Sequence, residues 1–139
     1  MFNRINLQFL ISYLGSFPFI IILFDKFFLF QLDYNIMKEF IVFYSLIIFV
    51  FIGATNWNLK KNISTNLILL GFIPSLLSVI VILLHLYSYE VYLIIIFFLI
   101  LQTILDNFIY KYNFERKIYY KIRIPLTIII VCSLILIQL

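Results

Sequence analysis

The chain has 139 residues, of which 65% are hydrophobic and only 12% charged. A soluble domain is about half apolar and about a quarter charged, and a chain this short has too much surface to hide the excess from water. With 17 phenylalanines against six acids and a net charge of +4, disorder, a disulfide scaffold and a nucleic-acid-binding module are excluded, and the solvent is expected to be lipid.

Five apolar runs follow in chain order. The first spans about residues 7–24 and is stopped by Asp25-Lys26. It is long for the apolar stretch of a signal peptide and has no small-residue cleavage pattern after it, so it reads as a retained helix. Its small residues Ser12, Gly15 and Ser16, with Pro18 near the middle, mark a helix contact and a kink. Phe27 to Phe30 is too apolar for a solvated loop: it either extends the first helix or lies in the membrane interface.

The second run, about residues 40–57, carries Ser45, Gly53 and Ala54 and closes on Asn56-Trp57-Asn58. The third, about 67–86, carries Gly71, Ser75 and Ser78 with Pro74 inside it and His85 near its end. Membrane helices approach through small residues, so Gly15, Pro18, Gly53, Gly71, Pro74 and Ser75 are the expected packing positions, with helices one to three as the tight core. The fourth run, about 91–109, is bulky all round and is expected to face lipid or a partner. The fifth, about 122–139, is short for a roughly 30 Å hydrocarbon core, so its helix is expected to begin near Tyr119, with Lys121 and Arg123 reaching for the surface.

None of the runs alternates as a membrane barrel strand does, and lipid leaves open backbone without partners. The expected fold is therefore all-α: one domain, 1–139, forming a bundle of five transmembrane helices. Lys and Arg divide eight to two between alternate sides of the chain. The positive-inside rule then sets the N-terminus in the cytoplasm and the C-terminus outside.

Candidate chemistry is sparse. Gln102 and Asp106 share a helix face at i, i+4, and Arg123 opens helix five on the same side. Asp106 reads either as a carboxylate in a proton or ion path or as half of a structural ion pair. The second carries more weight, because Asp106 lies near a helix end and not at the bilayer centre. Trp57 reads as an interfacial anchor; alternatively Asn56, Trp57, Gln102, Asp106 and Arg123 form one cytoplasmic-side polar cluster. His85 is the single histidine and Cys132 the single cysteine, so neither a metal centre nor a disulfide is expected, and no cofactor. The sequence has no Ser/His/Asp set, glycine-rich phosphate loop or CxxC.

Several of these residues occur in a recognisable order: Tyr13-x-Gly15-x-x-Pro18-Phe19, Gly53-x-x-x-Trp57, Pro74-Ser75-Leu76, Asp106, and Tyr120 to Thr127. The pattern resembles the transmembrane-protein-69-like family, small multi-pass proteins of bacteria and mitochondria, over nearly the whole chain. The chain departs from it at Asn56, where the family has His, and at Asn58, where it has Gly. An activity that needed that histidine would be missing here. The resemblance implies five helices in an energy-transducing membrane and no defined activity.

The expected function is that of a small, non-enzymatic membrane protein, an accessory subunit or assembly factor of a larger complex. The alternative is a small transporter or lipid carrier built on the polar cluster. Membrane lipids and other integral membrane proteins are the expected partners. The bacterial inner membrane is the expected location, with the mitochondrial inner membrane as the alternative.

Overall fold

The computed structural model describes residues 10, 12–54, 65–110 and 119–138. These residues form helices and turns, with no strand among them. The helices are α1 (Phe17–Phe24), α2 (Tyr34–Ala54), α3 (Thr65–Leu86), α4 (Tyr92–Tyr110) and α5 (Ile124–Gln138).

A helical turn over residues 12–14 precedes α1, and the break between them has a local cause. The Ser16 N–H and hydroxyl both donate to the Tyr13 carbonyl, at 3.0 and 2.7 Å, and the Phe19 N–H turns to Ser16 at 3.2 Å. The Gly15 carbonyl is left over and accepts the Tyr44 hydroxyl of α2 at 2.7 Å. Pro18 therefore sits in the first turn of α1, where its missing N–H costs nothing, and not in mid-helix as the sequence pattern implied.

Asp25-Lys26 does not end this helix. It continues to Leu29 as a wider π-helical turn, and Phe30 closes it in the left-handed region at φ 54°. Of the two readings of Phe27 to Phe30, the structure takes extension of helix one. Asp25 is buried because its carboxylate finds a donor, the Leu32 N–H at 2.9 Å.

Helix α2 begins at Tyr34, well before the expected start near Phe40. Asp33 caps it: its carboxylate accepts the Asn35 N–H at 2.7 Å, and its carbonyl accepts the Met37 N–H at 3.0 Å. The turn after α3 is a Schellman closure, with Ser88 at φ 64° and bonds from Ser88 to His85 and from Tyr89 to Leu84. A second π-helical turn, Tyr119–Arg123, leads into α5.

Polar contacts at the helix ends show that the elements alternate in direction. The Tyr13 hydroxyl meets the Lys121 carbonyl, and Lys26 meets the end of α5, so the first and last helices run the same way. The start of α2 lies beside the end of α3, through Glu39 and His85, and its end lies beside Arg123.

Helix α2 is the centre of the bundle and packs against α3, α4 and α5, while α1 packs against α5. This departs from the expectation that helices one to three make the tight core, while α4, expected to face lipid or a partner, keeps Leu93, Phe97 and Phe108 exposed. Helix α4 buries Ile95, Leu99, Gln102 and Asp106, and α5 buries Thr127, Ile130, Leu134 and Ile137. Small residues shape the α2–α3 contact: a Cβ on Gly53 would lie 2.5 Å from the Pro74 ring and 3.1 Å from the Gly71 carbonyl. The buried core is mainly Ile, Val and Leu, with Phe19, Met37, Phe49 and Tyr92.

The outside is apolar as well. Leu93 is 77% exposed, Phe28 70% and Phe51 69%. Water would not tolerate so continuous an apolar surface; hydrocarbon would. Among the described residues, four helical stretches are long and apolar enough to cross a bilayer: Ser12–Leu29, Tyr34–Ala54, Ile68–Leu86 and Lys121–Gln138. Helix α4 has 19 residues, which at about 1.5 Å each gives about 28 Å.

Candidate functional site

Among the described residues, a buried ion pair lies at the end shared by the close of α4 and the start of α5. Asp106 is fully buried and Gln102, one turn earlier, is 5% exposed. Helical periodicity aligns them, and the Gln102 amide donates to Asp106 Oδ1 at 3.1 Å. The other carboxylate oxygen faces Arg123 Nε at 3.5 Å.

Arg123 does more than neutralise Asp106. Its Nη2 donates to the Ile52 carbonyl at 3.1 Å. That carbonyl lies in the last described turn of α2, close to the negative end of the helix dipole, where a cation is favoured. One guanidinium thus joins α2, α4 and α5. One turn deeper, the Thr103 hydroxyl donates to the Leu99 carbonyl at 2.8 Å and meets the Thr127 hydroxyl at 3.0 Å. The polar layer is therefore an ion pair backed by a hydroxyl pair, both between α4 and α5.

A charge moved from water to an apolar interior costs several kcal/mol unless it is paired and hydrogen-bonded. Here both conditions hold. These contacts tie α2, α4 and the turn that opens α5 together at one end of the bundle. Of the five residues read from the sequence as a polar cluster, the structure brings Gln102, Asp106 and Arg123 together; Asn56 and Trp57 lie outside the described residues.

The packing positions fall in different places. Gly53, Gly71 and Pro74 form the α2–α3 contact, and Gly15 offers its carbonyl to Tyr44. Pro18 opens α1. Ser75 turns its hydroxyl back to the Phe72 carbonyl at 2.7 Å and joins no neighbour through it.

The opposite end holds a second polar group that the sequence reading did not assemble. Lys26 Nζ donates to the Leu136 and Ile137 carbonyls at 2.8 and 2.9 Å, and the Tyr34 hydroxyl reaches Ile137 at 3.3 Å. Lys38 lies 4.5 Å from the centre of the Tyr34 ring. A signal was present: α5 carries no basic residue in its last turn, so its free carbonyls had to find donors elsewhere. His85, the single histidine, lies 2.9 Å from Glu39 of α2. Among the described residues no three His, Cys, Asp or Glu side chains gather as a metal site would require. Cys132 is exposed on α5.

No curated protein and no solved structure matches the chain. Residues 6–139 match a family model described as a protein of unknown function, DUF3429. A match over all but the first five residues makes the chain a member of the DUF3429 family.

Proposed function

We propose that this protein is an integral membrane protein that crosses the bilayer five times and serves as a non-enzymatic accessory subunit or assembly factor of a larger membrane complex. One observation carries the reading: the strongest internal charges are turned inward onto each other, Asp106 onto Gln102 and Arg123, while bulky apolar side chains make up the outer faces. The polar groups hold the helices in register, and the exterior is left for lipid and neighbouring helices.

The eight-to-two division of Lys and Arg supports a cytoplasmic N-terminus, with the end of helix five outside. The resemblance to the transmembrane-protein-69-like family supports an energy-transducing membrane, the bacterial inner membrane first and the mitochondrial inner membrane second. Purification at native expression in a mild detergent, followed by mass spectrometry, tests the role. Other integral membrane proteins should co-purify in fixed proportion; a lone monodisperse chain would overturn it.

A second reading, a small carrier, is favoured by a specific observation: a carboxylate wholly enclosed within an apolar bundle is a site where function often resides. It predicts that Asp106→Asn abolishes flux in proteoliposomes while leaving the fold intact. Loss of the fold together with flux would return Asp106 to a structural role.

A further inference from the structure

The last turns of helix one and the chain that follows them enclose an open groove of about 470 Å³, within the roughly 300–1,000 Å³ of small-molecule sites. Phe17, Ile20, Ile21 and Phe24, at helical spacing, form one wall, and each is about half exposed. Among the described residues, the charged group in the lining is Asp25, at the end where Gln31 also lies. The turn that shapes this end is fixed by its own bonds: the left-handed Phe30 returns its N–H to the Asp25 carbonyl at 2.8 Å.

Asp25 is a carboxylate short of partners. It is 5% exposed, and among the described residues its side chain accepts one hydrogen bond, the Leu32 N–H on Oδ2 at 2.9 Å. It enters no ion pair there; those pairs join His85 to Glu39 and Arg123 to Asp106. Lys26, next in sequence, directs its ammonium to the Leu136 and Ile137 carbonyls instead. Asp106 is also buried, but it has both an amide and a guanidinium beside it. A carboxylate away from water is unfavourable unless it is paired as well as hydrogen-bonded. The chain gives Asp25 the hydrogen bond and not the cation.

The groove is the side from which a cation can reach it. The rings of Phe17 and Phe24 line the approach, and ring faces attract cations. An anionic head, or the phosphate of a zwitterionic one, would meet like charge at Asp25. A bare metal ion would lack ligands, since no three His, Cys, Asp or Glu side chains gather among the described residues. An ammonium on an apolar body matches both the carboxylate and the wall.

We propose that this groove binds an amphiphilic organic cation, its protonated amine on the Asp25 carboxylate and its apolar body along Phe17, Ile21 and Phe24. The proposal goes beyond the accessory role and rests on the membrane reading only for the medium outside the groove.

The test is titration of the purified protein, in a neutral maltoside detergent, with dodecylammonium and with dodecanol and dodecanoate of the same chain length. Calorimetry gives the affinities, and the amide resonance of Leu32 reports the site. Dodecylammonium should saturate and shift that resonance; the alcohol and the carboxylate should bind about tenfold less tightly or worse. Asp25→Asn leaves an oxygen for the Leu32 N–H and removes the charge. It should cut ammonium affinity by about tenfold and leave dodecanol binding unchanged. Ile21→Trp obstructs the groove with Asp25 intact and should lose the amine without a fall in thermal midpoint. Phe97→Trp, on an exposed face of α4, should bind as the native chain does. Equal affinity for amine and alcohol, or native-like binding by both groove variants, overturns the proposal and leaves the membrane reading intact. Displacement of the amine by phosphatidylethanolamine as readily as by a second amine would assign the groove to a zwitterionic lipid and overturn it too. A chain freely soluble without detergent would overturn the membrane reading, and this proposal with it.

Discussion

The end of the bundle that holds Asp106 and the end that holds Lys26 both carry charge, and they handle it in opposite ways. At the first, a carboxylate with no exposed surface is locked to a guanidinium whose side chain is 14% exposed. At the second, an ammonium takes two backbone carbonyls, and the His85–Glu39 pair lies open on the glutamate side, which is 56% exposed. Desolvation makes the difference. A charge that water cannot reach must be satisfied by the protein alone, so its partners become indispensable. A charge at the rim has water and headgroups as substitutes.

This contrast is sharpest at Arg123. Arg123→Ala should lower stability by about 3–5 kcal/mol, the usual cost of leaving a buried charge without its partner. Thermal unfolding in detergent measures it. Replacing both partners, Asp106→Leu with Arg123→Met, should recover much of the loss, since a buried pair is often no better than well-packed apolar residues. A single-variant loss near that of a surface pair would place this end in the same class as the other.

At Gly53 the α2–α3 contact, which at its other end carries the Glu39–His85 pair, is held by shape. Gly53→Val should cost about 1–3 kcal/mol, because the new side chain meets the Pro74 ring, which cannot rotate away. Accessible cysteine labelling along α3 would show the helices parting. A neutral outcome would mean that the ends, and not this contact, hold the pair together.

At the Lys26 end the effects should be smaller. Lys26→Met removes two bonds from an ammonium to the carbonyls of α5 and should cost about 1.5 kcal/mol, with faster amide exchange confined to the last turn of α5. Glu39→Gln should change stability by only about 0.2–1 kcal/mol, read as a small shift in thermal midpoint. A loss from Glu39→Gln as large as that from Arg123→Ala would dissolve the distinction between the ends.

Much of this architecture was legible in the amino-acid order. Apolar runs of about twenty residues locate the helices, since that length matches the hydrocarbon core, and the i, i+4 spacing of Gln102 and Asp106 makes them neighbours on α4 without reference to any other helix. Helix ends read less well. Asp25-Lys26 looks like a stop, because a sequence does not reveal that Leu32 and the carbonyls of α5 wait for those two side chains. Phe40 looks like a start for α2, although the polar turn before it is helical and finds partners in His85 and the Tyr34 ring.

What only the tertiary structure decided is which helix stands in the middle and which distant groups meet. Outside a few polar positions such as Gln102 and Asp106, the helices are apolar on most of their faces, and the usual signal of amphipathic periodicity is too weak to choose among packings. The contacts of Lys26 with residues 136 and 137 and of Arg123 with Ile52 lie 71 or more positions apart in the chain. Local patterning sets helix length and the order of elements; the choice of neighbours falls to side-chain shape and to the few polar groups that must be satisfied away from water.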